Sequence, residues 1–281
     1  MDTLSAPNLI FIVPYRDRDQ QLAFFDKHMK TTVLSDLSTK YEIYYVEQSD
    51  TRDFNRGAMK NIGFLAMKEK YPDAYKKITF VFNDIDTMPY TANFLNYSTD
   101  TGIIKHFYGY KFALGGIVSM VGADFERILG FPNFWAWGYE DNLLQRRALT
   151  AGLTIDRSQF YPIMDKNIIQ FKDGLERVVN RKEYDRFIHN TTGGILTIRN
   201  LEYAIDDLGG ASKKIKVTGF STETENLMNT NTIHDLRNGS KPFTTYGGVT
   251  RSKPTIGMFI RLRGAGGPPL KPLRAAKRLP G

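Results

Sequence analysis

The feature that most constrains this chain is a strand–helix alternation over its first 85 residues. Leu9-Ile10-Phe11-Ile12-Val13 is an apolar run of strand length that stops at Pro14. It reads as a buried parallel strand over residues 8–13 leaving its sheet at the C-terminal end, because strands covered on both faces are near-continuously apolar. Asp17 to Lys30 sets Leu22, Phe24, Phe25 and Met29 among charges, a helical spacing. Tyr41–Val46 is a second strand, Asn55–Lys70 a second helix with Ile62, Leu65 and Ala66 on one face, and Ile78–Phe82 a third strand stopped by Asn83-Asp84. Such alternation predicts an α/β fold, a mostly parallel sheet flanked by helices.

In parallel sheets ligands collect outside the carboxyl ends of the strands. Here those ends carry Tyr15-Arg16-Asp17-Arg18, Glu47-Gln48-Ser49-Asp50 and Asp84-Ile85-Asp86. On an extended segment Asp84 and Asp86 point to the same side and repel unless a cation lies between or beside them. A hard divalent ion, Mn²⁺ or Mg²⁺, suits such oxygen ligands and neutralises a diphosphate leaving group; the competing reading is a turn or helix-cap pair. Arg16, Arg18 and Arg56 suit phosphate through their planar guanidinium groups. Arg56 also opens the second helix, where backbone N–H groups favour anions; singly, each arginine reads first as a solvated ion pair. Further along, Trp137-Gly138-Tyr139-Glu140-Asp141 combines a ring able to stack on a sugar face with two adjacent acids, one placed to bind hydroxyls and the other to accept a proton. The same acids also fit the first turn of a helix running from Leu143 to Ala151, where they complement its dipole.

Composition narrows the chemistry. With no cysteine in 281 residues, disulfides, thiolate metal sites and cysteine nucleophiles are excluded. No apolar run approaches the roughly 18 residues that span a bilayer, and the N-terminus lacks a basic region followed by an apolar stretch. The formal net charge is +8, yet ten Lys and Arg and no acid follow Asp235, so residues 1–235 carry about −2. The basic character belongs to the tail. Its Gly-Ala-Gly-Gly-Pro-Pro segment at 264–269 cannot pack a core. The expected organisation is a domain over 1–219 and a weakly structured, flexible basic extension over 220–281. That extension is expected to meet at most an anionic surface, and no specific nucleic acid, because it lacks regular aromatic interleaving.

Taken in order, Phe11-Ile12-Val13-Pro14-Tyr15-Arg16-Asp17-Arg18, Phe54-Asn55-Arg56-Gly57, Asn61-Ile62-Gly63-Phe64, Phe80–Asp86, Gly115-Gly116, Gly130-Phe131-Pro132-Asn133, Trp135–Asp141 and Tyr184-Asp185-Arg186 resemble the β-1,4-galactosyltransferase family, glycosyltransferase family 7. The resemblance covers about residues 8–190. It implies a Rossmann-like GT-A fold, a UDP-sugar donor, a glycan acceptor, Mn²⁺ (or Mg²⁺) and inversion at the sugar carbon. By resemblance Pro14, Arg16, Arg18, Phe54 and Arg56 hold the uridine and phosphates, with Gly116 also on the donor side. Asp84 contacts the donor, Asp86 the metal, Trp137 the sugars and Glu140 their hydroxyls, while Asp141 is the base that takes the acceptor hydroxyl's proton.

Three departures from the family pattern stand out. Gln170 of Asn167-Ile168-Ile169-Gln170 occupies the place of the family's late metal-binding histidine. Ala136 and Tyr139 stand where the family commonly has glycine. Ala113 stands where a tyrosine favours galactose, which predicts tolerance of an N-acetylated donor. The alternative is a non-catalytic glycan- or nucleotide-sugar-binding relative with a degraded metal site. Animal members of the family are usually anchored, disulfide-bonded Golgi proteins; lacking both features, this chain is expected to be a bacterial or viral enzyme of the cytoplasm.

Overall fold

The computed structural model describes residues 6–171, 176–189, 193–226, 230–235, 238, 242 and 243. Strands β1 (Leu9–Tyr15), β2 (Tyr41–Gln48) and β3 (Thr79–Asn83) alternate with helices α1 (Asp19–His28) and α2 (Arg56–Lys70). A short β4 (Thr87–Pro89) precedes β5 (Ile103–Gly109), β6 (Ile117–Val121), α3 (Gly122–Arg127) and α4 (Glu140–Thr150). Then come β7 (Thr154–Asp156), β8 (Tyr161–Pro162), β9 (Ile168–Gln170), β10 (Glu176–Asn180), α5 (Arg181–His189), β11 (Arg199–Asp207), β12 (Ser212–Ser221) and β13 (Asn231–Asp235).

The main sheet runs β11-β12-β2-β1-β3-β6-β5-β7, with β8 beside β5. Its centre, β12-β2-β1-β3, is parallel, while β11, and β6 against β3 and β5, pair antiparallel. This is the α/β arrangement expected. The apolar runs become central strands because every residue of β1 is buried. Alternate side chains feed two cores. Ile10, Ile12, Tyr44, Val46, Phe80 and Phe82 face α2, whereas Leu9, Phe11, Val13, Ile43, Tyr45 and Val81 pack with Phe25 of α1 and Met29. Gly63 lets α2 lie close on the sheet: a Cβ there would come within 2.7 Å of Ile12 and 2.9 Å of Val46. Because β2, β1 and β3 are parallel neighbours, their three polar ends emerge side by side.

Strand β12 runs through the boundary expected at 219/220, with Phe220 buried and stacked on Trp135 at 5.6 Å. Strand β13 then pairs with β10, and these elements belong to a unit that extends to Pro242. Nearly all of the basic stretch after Asp235 lies outside the described residues. Among the described residues no helix is long and apolar enough to cross a membrane.

Candidate active site

Two helix starts converge beyond the sheet. Asn55 caps α2 by accepting the Ala58 N–H at 2.9 Å, while its own N–H donates to Gln48 Oε1 at the end of β2. This places Arg56 on the first turn of α2, facing the first turn of α4. Arg56 is shared by three carboxylates: Nη1 donates to Asp84 Oδ2 at 2.7 Å, Nε to Glu140 Oε1 at 2.7 Å and Nη2 to Asp141 Oδ2 at 2.6 Å. A cation at a helix N-terminus opposes the dipole, and these acids offset that cost. One turn further, Lys60 brings a second cation. Its Nζ lies 3.3 Å from Asp84 Oδ1 and 3.6 Å from Asp141 Oδ1, with the Phe131 ring 4.5 Å away. Three carboxylates thus surround two cations.

The environments separate the two aspartates. Burial pulls the Asp84 carboxyl upward, but Arg56 and Lys60 outweigh it and hold the group below the usual range. Burial pushes Asp141 up to about 6; Glu140 and Asp84 add to the rise, while Arg56 and Lys60 only moderate it. A carboxylate poised near neutral pH suits a general base.

The loop ahead of β6 fits around this cluster. Gly116, at φ 70°, accepts the Asp84 N–H through its carbonyl at 2.9 Å, and Leu114 N–H bonds the Asp141 carbonyl at 3.0 Å. A Cβ on Gly115 would fall 2.3 Å from Asp141 Oδ2. Gly115→Ala is therefore expected to push Asp141 aside, lowering kcat about 10²-fold, the cost of roughly 1 Å of misplacement, and lowering the melting temperature as the carboxylate leaves its ion pairs. Steady-state kinetics beside a thermal melt checks this.

Beside the cluster opens a cleft of about 490 Å³ at the ends of β1, β2 and β3. Pro14, Arg16, Arg18, Phe54, Arg56, Asp84, Asp86 and Trp137 all line it, together with Arg52 and Arg177, which sequence reasoning had not singled out. Trp137 is 38% exposed, and its N–H bonds the Val178 carbonyl of β10 at 2.9 Å. The loop carrying it takes positive φ at Ala136 (73°), Gly138 (108°) and Tyr139 (69°). The two departures from glycine thus occupy left-handed backbone, each at a cost of roughly 1–2 kcal/mol. Packing offsets that cost at Tyr139, whose ring lies 5.0 Å from both Phe187 and Tyr184.

The acidic pair does not lie on an extended segment, as the sequence had suggested. Asn83 Nδ2 donates to the carbonyls of Asp84 and Thr87, and the Thr87 N–H bonds the Asp84 carbonyl at 3.2 Å, closing a turn. Asp84 thereby meets Arg56 and Lys60, and Asp86 lines the cleft beside it. Gln170 is brought next to Asp86 by β9, which pairs Gln170 with Thr87 and donates the Phe171 N–H to the Asp86 carbonyl at 2.9 Å. The Tyr108 hydroxyl donates to Gln170 Oε1. Among the described residues there is no group of three or more His, Cys, Asp or Glu placed for a metal. His106 is buried between the Tyr108 carbonyl and Arg157, and burial lowers it to about 4; it is a packing residue.

The expected site residues are therefore distributed as follows. Arg56, Asp84, Glu140 and Asp141 form one ion cluster, and eight residues line the cleft. Gly116 acts as a backbone brace. Glu140 is turned inward, with Oε2 buried and unbonded. Lys60 was missed, although its i+4 spacing from Arg56 puts both cations on one helix face.

Known proteins share this fold. The catalytic domain of Drosophila β1,4-galactosyltransferase 7, solved with xylobiose, matches with a TM-score of 0.62 at 21% identity, covering 80% of this chain and 98% of that one. A mutant of the same enzyme solved with manganese, UDP-Gal and xylobiose gives the same figures. The fold is that of the GT-A glycosyltransferases. In sequence, residues 2–98 match the N-terminal region of glycosyl transferase group 7, and residues 103–170 match the N-terminal domain of galactosyltransferase. The chain belongs to glycosyltransferase family 7. It is 32% identical to β-1,4-galactosyltransferase 6 of Mus musculus over 160 residues, 53% of this chain and 40% of that protein. Against β-1,4-galactosyltransferase 1 of Bos taurus it is 27% identical over 199 residues, 67% of this chain and 48% of that protein. The chain thus spans about half the length, or less, of these relatives. They are animal enzymes, the group that the family resemblance places in the Golgi, and this overturns the expectation of a bacterial or viral cytoplasmic enzyme.

Proposed function

We propose that the chain transfers galactose or N-acetylgalactosamine from a UDP-sugar to a hydroxyl of a glycan acceptor, with inversion at the sugar carbon. The observation that carries this reading is the Asp84–Arg56–Asp141 cluster at the edge of the cleft, which joins a low-pKa donor-side carboxylate to one pushed up to about 6. Pro14, Arg16, Arg18, Phe54 and Arg56 bind the uridine and diphosphate, Asp84 holds the donor sugar from below and Trp137 stacks on the sugars. Glu140 takes sugar hydroxyls once it turns out of the inward position in which its Oε2 is buried and unbonded, and Gly116 shapes the donor side by fixing Asp84. Asp141 removes the acceptor hydroxyl's proton as that oxygen attacks the sugar carbon and the bond to UDP breaks.

Asp86 and Gln170 are hard oxygen donors at adjoining strand ends, a set that fits Mn²⁺ or Mg²⁺ when the remaining ligands come from diphosphate and water. Bound there, the cation supplies charge neutralisation for the departing diphosphate. Tyr108 already uses one lone pair of Gln170 Oε1, so binding weaker than at a histidine-completed site is expected.

Ala113 supports the wider donor range, since it presents only a methyl group beside the Gly115-Gly116 turn. With a UDP-galactose, UDP-N-acetylgalactosamine and UDP-glucose panel, transfer from the first two and a β-linked product by NMR are expected. Strict use of UDP-galactose would refute the donor assignment, and an α-linked product would refute inversion.

A further inference from the structure

We infer that Lys60 is a positioning residue for the transfer reaction, an ammonium group built into the floor of the site that ties the donor-side carboxylate of Asp84 to the base Asp141. The inference rests on the transferase reading above and goes beyond it, because the sequence resemblance assigns Lys60 no role.

The geometry is specific. Lys60 is 1% exposed, in the middle of a helix whose other lysines near its end, Lys68 and Lys70, reach the surface. A lysine without a task extends its stem and keeps its ammonium in water, and one buried this completely is retained only with charge partners. Its partners are the two aspartates. Arg56 occupies the Oδ2 atom of each, whereas Oδ1 of Asp84 and Oδ1 of Asp141 are buried without a hydrogen bond. The Lys60 ammonium stands between those two oxygens, at 3.3 and 3.6 Å. The first distance lies at the long end of the hydrogen-bond range and the second beyond it, as in many catalytic sites before substrate arrives. The Phe131 ring at 4.5 Å closes the remaining side and favours a cation there.

Charge accounting gives the arrangement a purpose. The groups facing Asp141 are Arg56 and Lys60 from α2, Asp84 from the turn after β3 and Glu140 from its own helix. With all three carboxylates ionised the cluster carries one net negative charge, and the acceptor proton arriving on Asp141 brings it to neutrality. Without Lys60 the cluster starts one charge more negative. Asp141 then holds its proton to higher pH, and the two aspartates repel each other out of position. An apolar side chain of the same length would fill the space equally well, so packing does not explain the ammonium.

The test is Lys60→Met, which keeps the length and removes the charge. Wild-type turnover over pH 5–9 is measured first, alongside UDP binding. In the variant, UDP affinity is expected to stay within about threefold of wild type while kcat at neutral pH falls at least about tenfold. The acid limb of kcat/KM should move up by about one pH unit or more, so that activity recovers at alkaline pH. Lys60→Arg, which restores the charge, should keep the limb at its wild-type position. Should the methionine variant not fold, Lys60→Gln takes the same measurements. An unchanged kcat and pH profile in an active background would overturn the role of Lys60 alone, as would a loss of activity that is independent of pH and accompanied by loss of UDP binding. Absence of wild-type turnover with every UDP-sugar would instead remove the transferase reading, and this inference with it.

Discussion

Asp141→Asn is expected to leave a folded protein that still binds UDP but transfers sugar about 10²–10⁴-fold more slowly, the range for loss of a positioned general base. The amide keeps the shape of the side chain and its place beside Gly115, but it cannot accept the acceptor's proton. The wild-type enzyme supplies an internal check. With Asp141 pushed up to about 6, kcat/KM should climb with pH through about 6 to a plateau, because only the ionised carboxylate acts as base. Stability should move the other way. A carboxyl raised above its unfolded value stabilises the fold at low pH, and that contribution is lost as pH rises through about 6. The asparagine variant lacks both dependences. Wild-type-like turnover in Asp141→Asn would place the base elsewhere.

The second large effect is expected at Arg56. Arg56→Met removes the group shared by Asp84, Glu140 and Asp141 and leaves three buried acids facing Lys60 alone. Breaking a buried ion network from one side costs about 3–5 kcal/mol. For a domain of this size the melting temperature should fall by roughly 6–20 °C. Transfer activity should be lost with it, since the same guanidinium faces the donor cleft. The deficit should shrink toward pH 5, where the carboxyls take up protons and the uncompensated charge falls. A melting temperature within about a degree of wild type would show that the three acids do not depend on Arg56.

Much of this fold was legible because the central strands are apolar on both faces. Leu9–Val13 had to be covered on either side, and only a parallel sheet between helices does that for a run followed by a helix. The polar ends of β1, β2 and β3 were legible for the same reason. What escaped was set by contacts distant in sequence. The addition of β12 beside β2 joins residues some 170 positions apart, and no local pattern encodes it. Asp84-Ile85-Asp86 reads as extended from its place after a strand, but Asn83 and Thr87 close it into a turn, and Asp84 meets Arg56 and Lys60. Lys60 reads as one more helix-surface lysine, and only the packing of α2 against the acids of α4 gives it partners. Within the candidate site, the nearness of Gln170 to Asp86 was anticipated from the motif order, while the hydroxyl of Tyr108 on its amide oxygen was not.

The most direct test of the central claim is UDP release from a UDP-sugar in the presence of a glycan acceptor, measured across a Mn²⁺ titration. Turnover is expected to saturate with the ion, to weaken on Asp86→Asn and to fall about 10²–10⁴-fold on Asp141→Asn. No turnover with any UDP-sugar, together with UDP binding indifferent to Mn²⁺, would contradict it and leave a glycan- or nucleotide-sugar-binding protein on a glycosyltransferase fold.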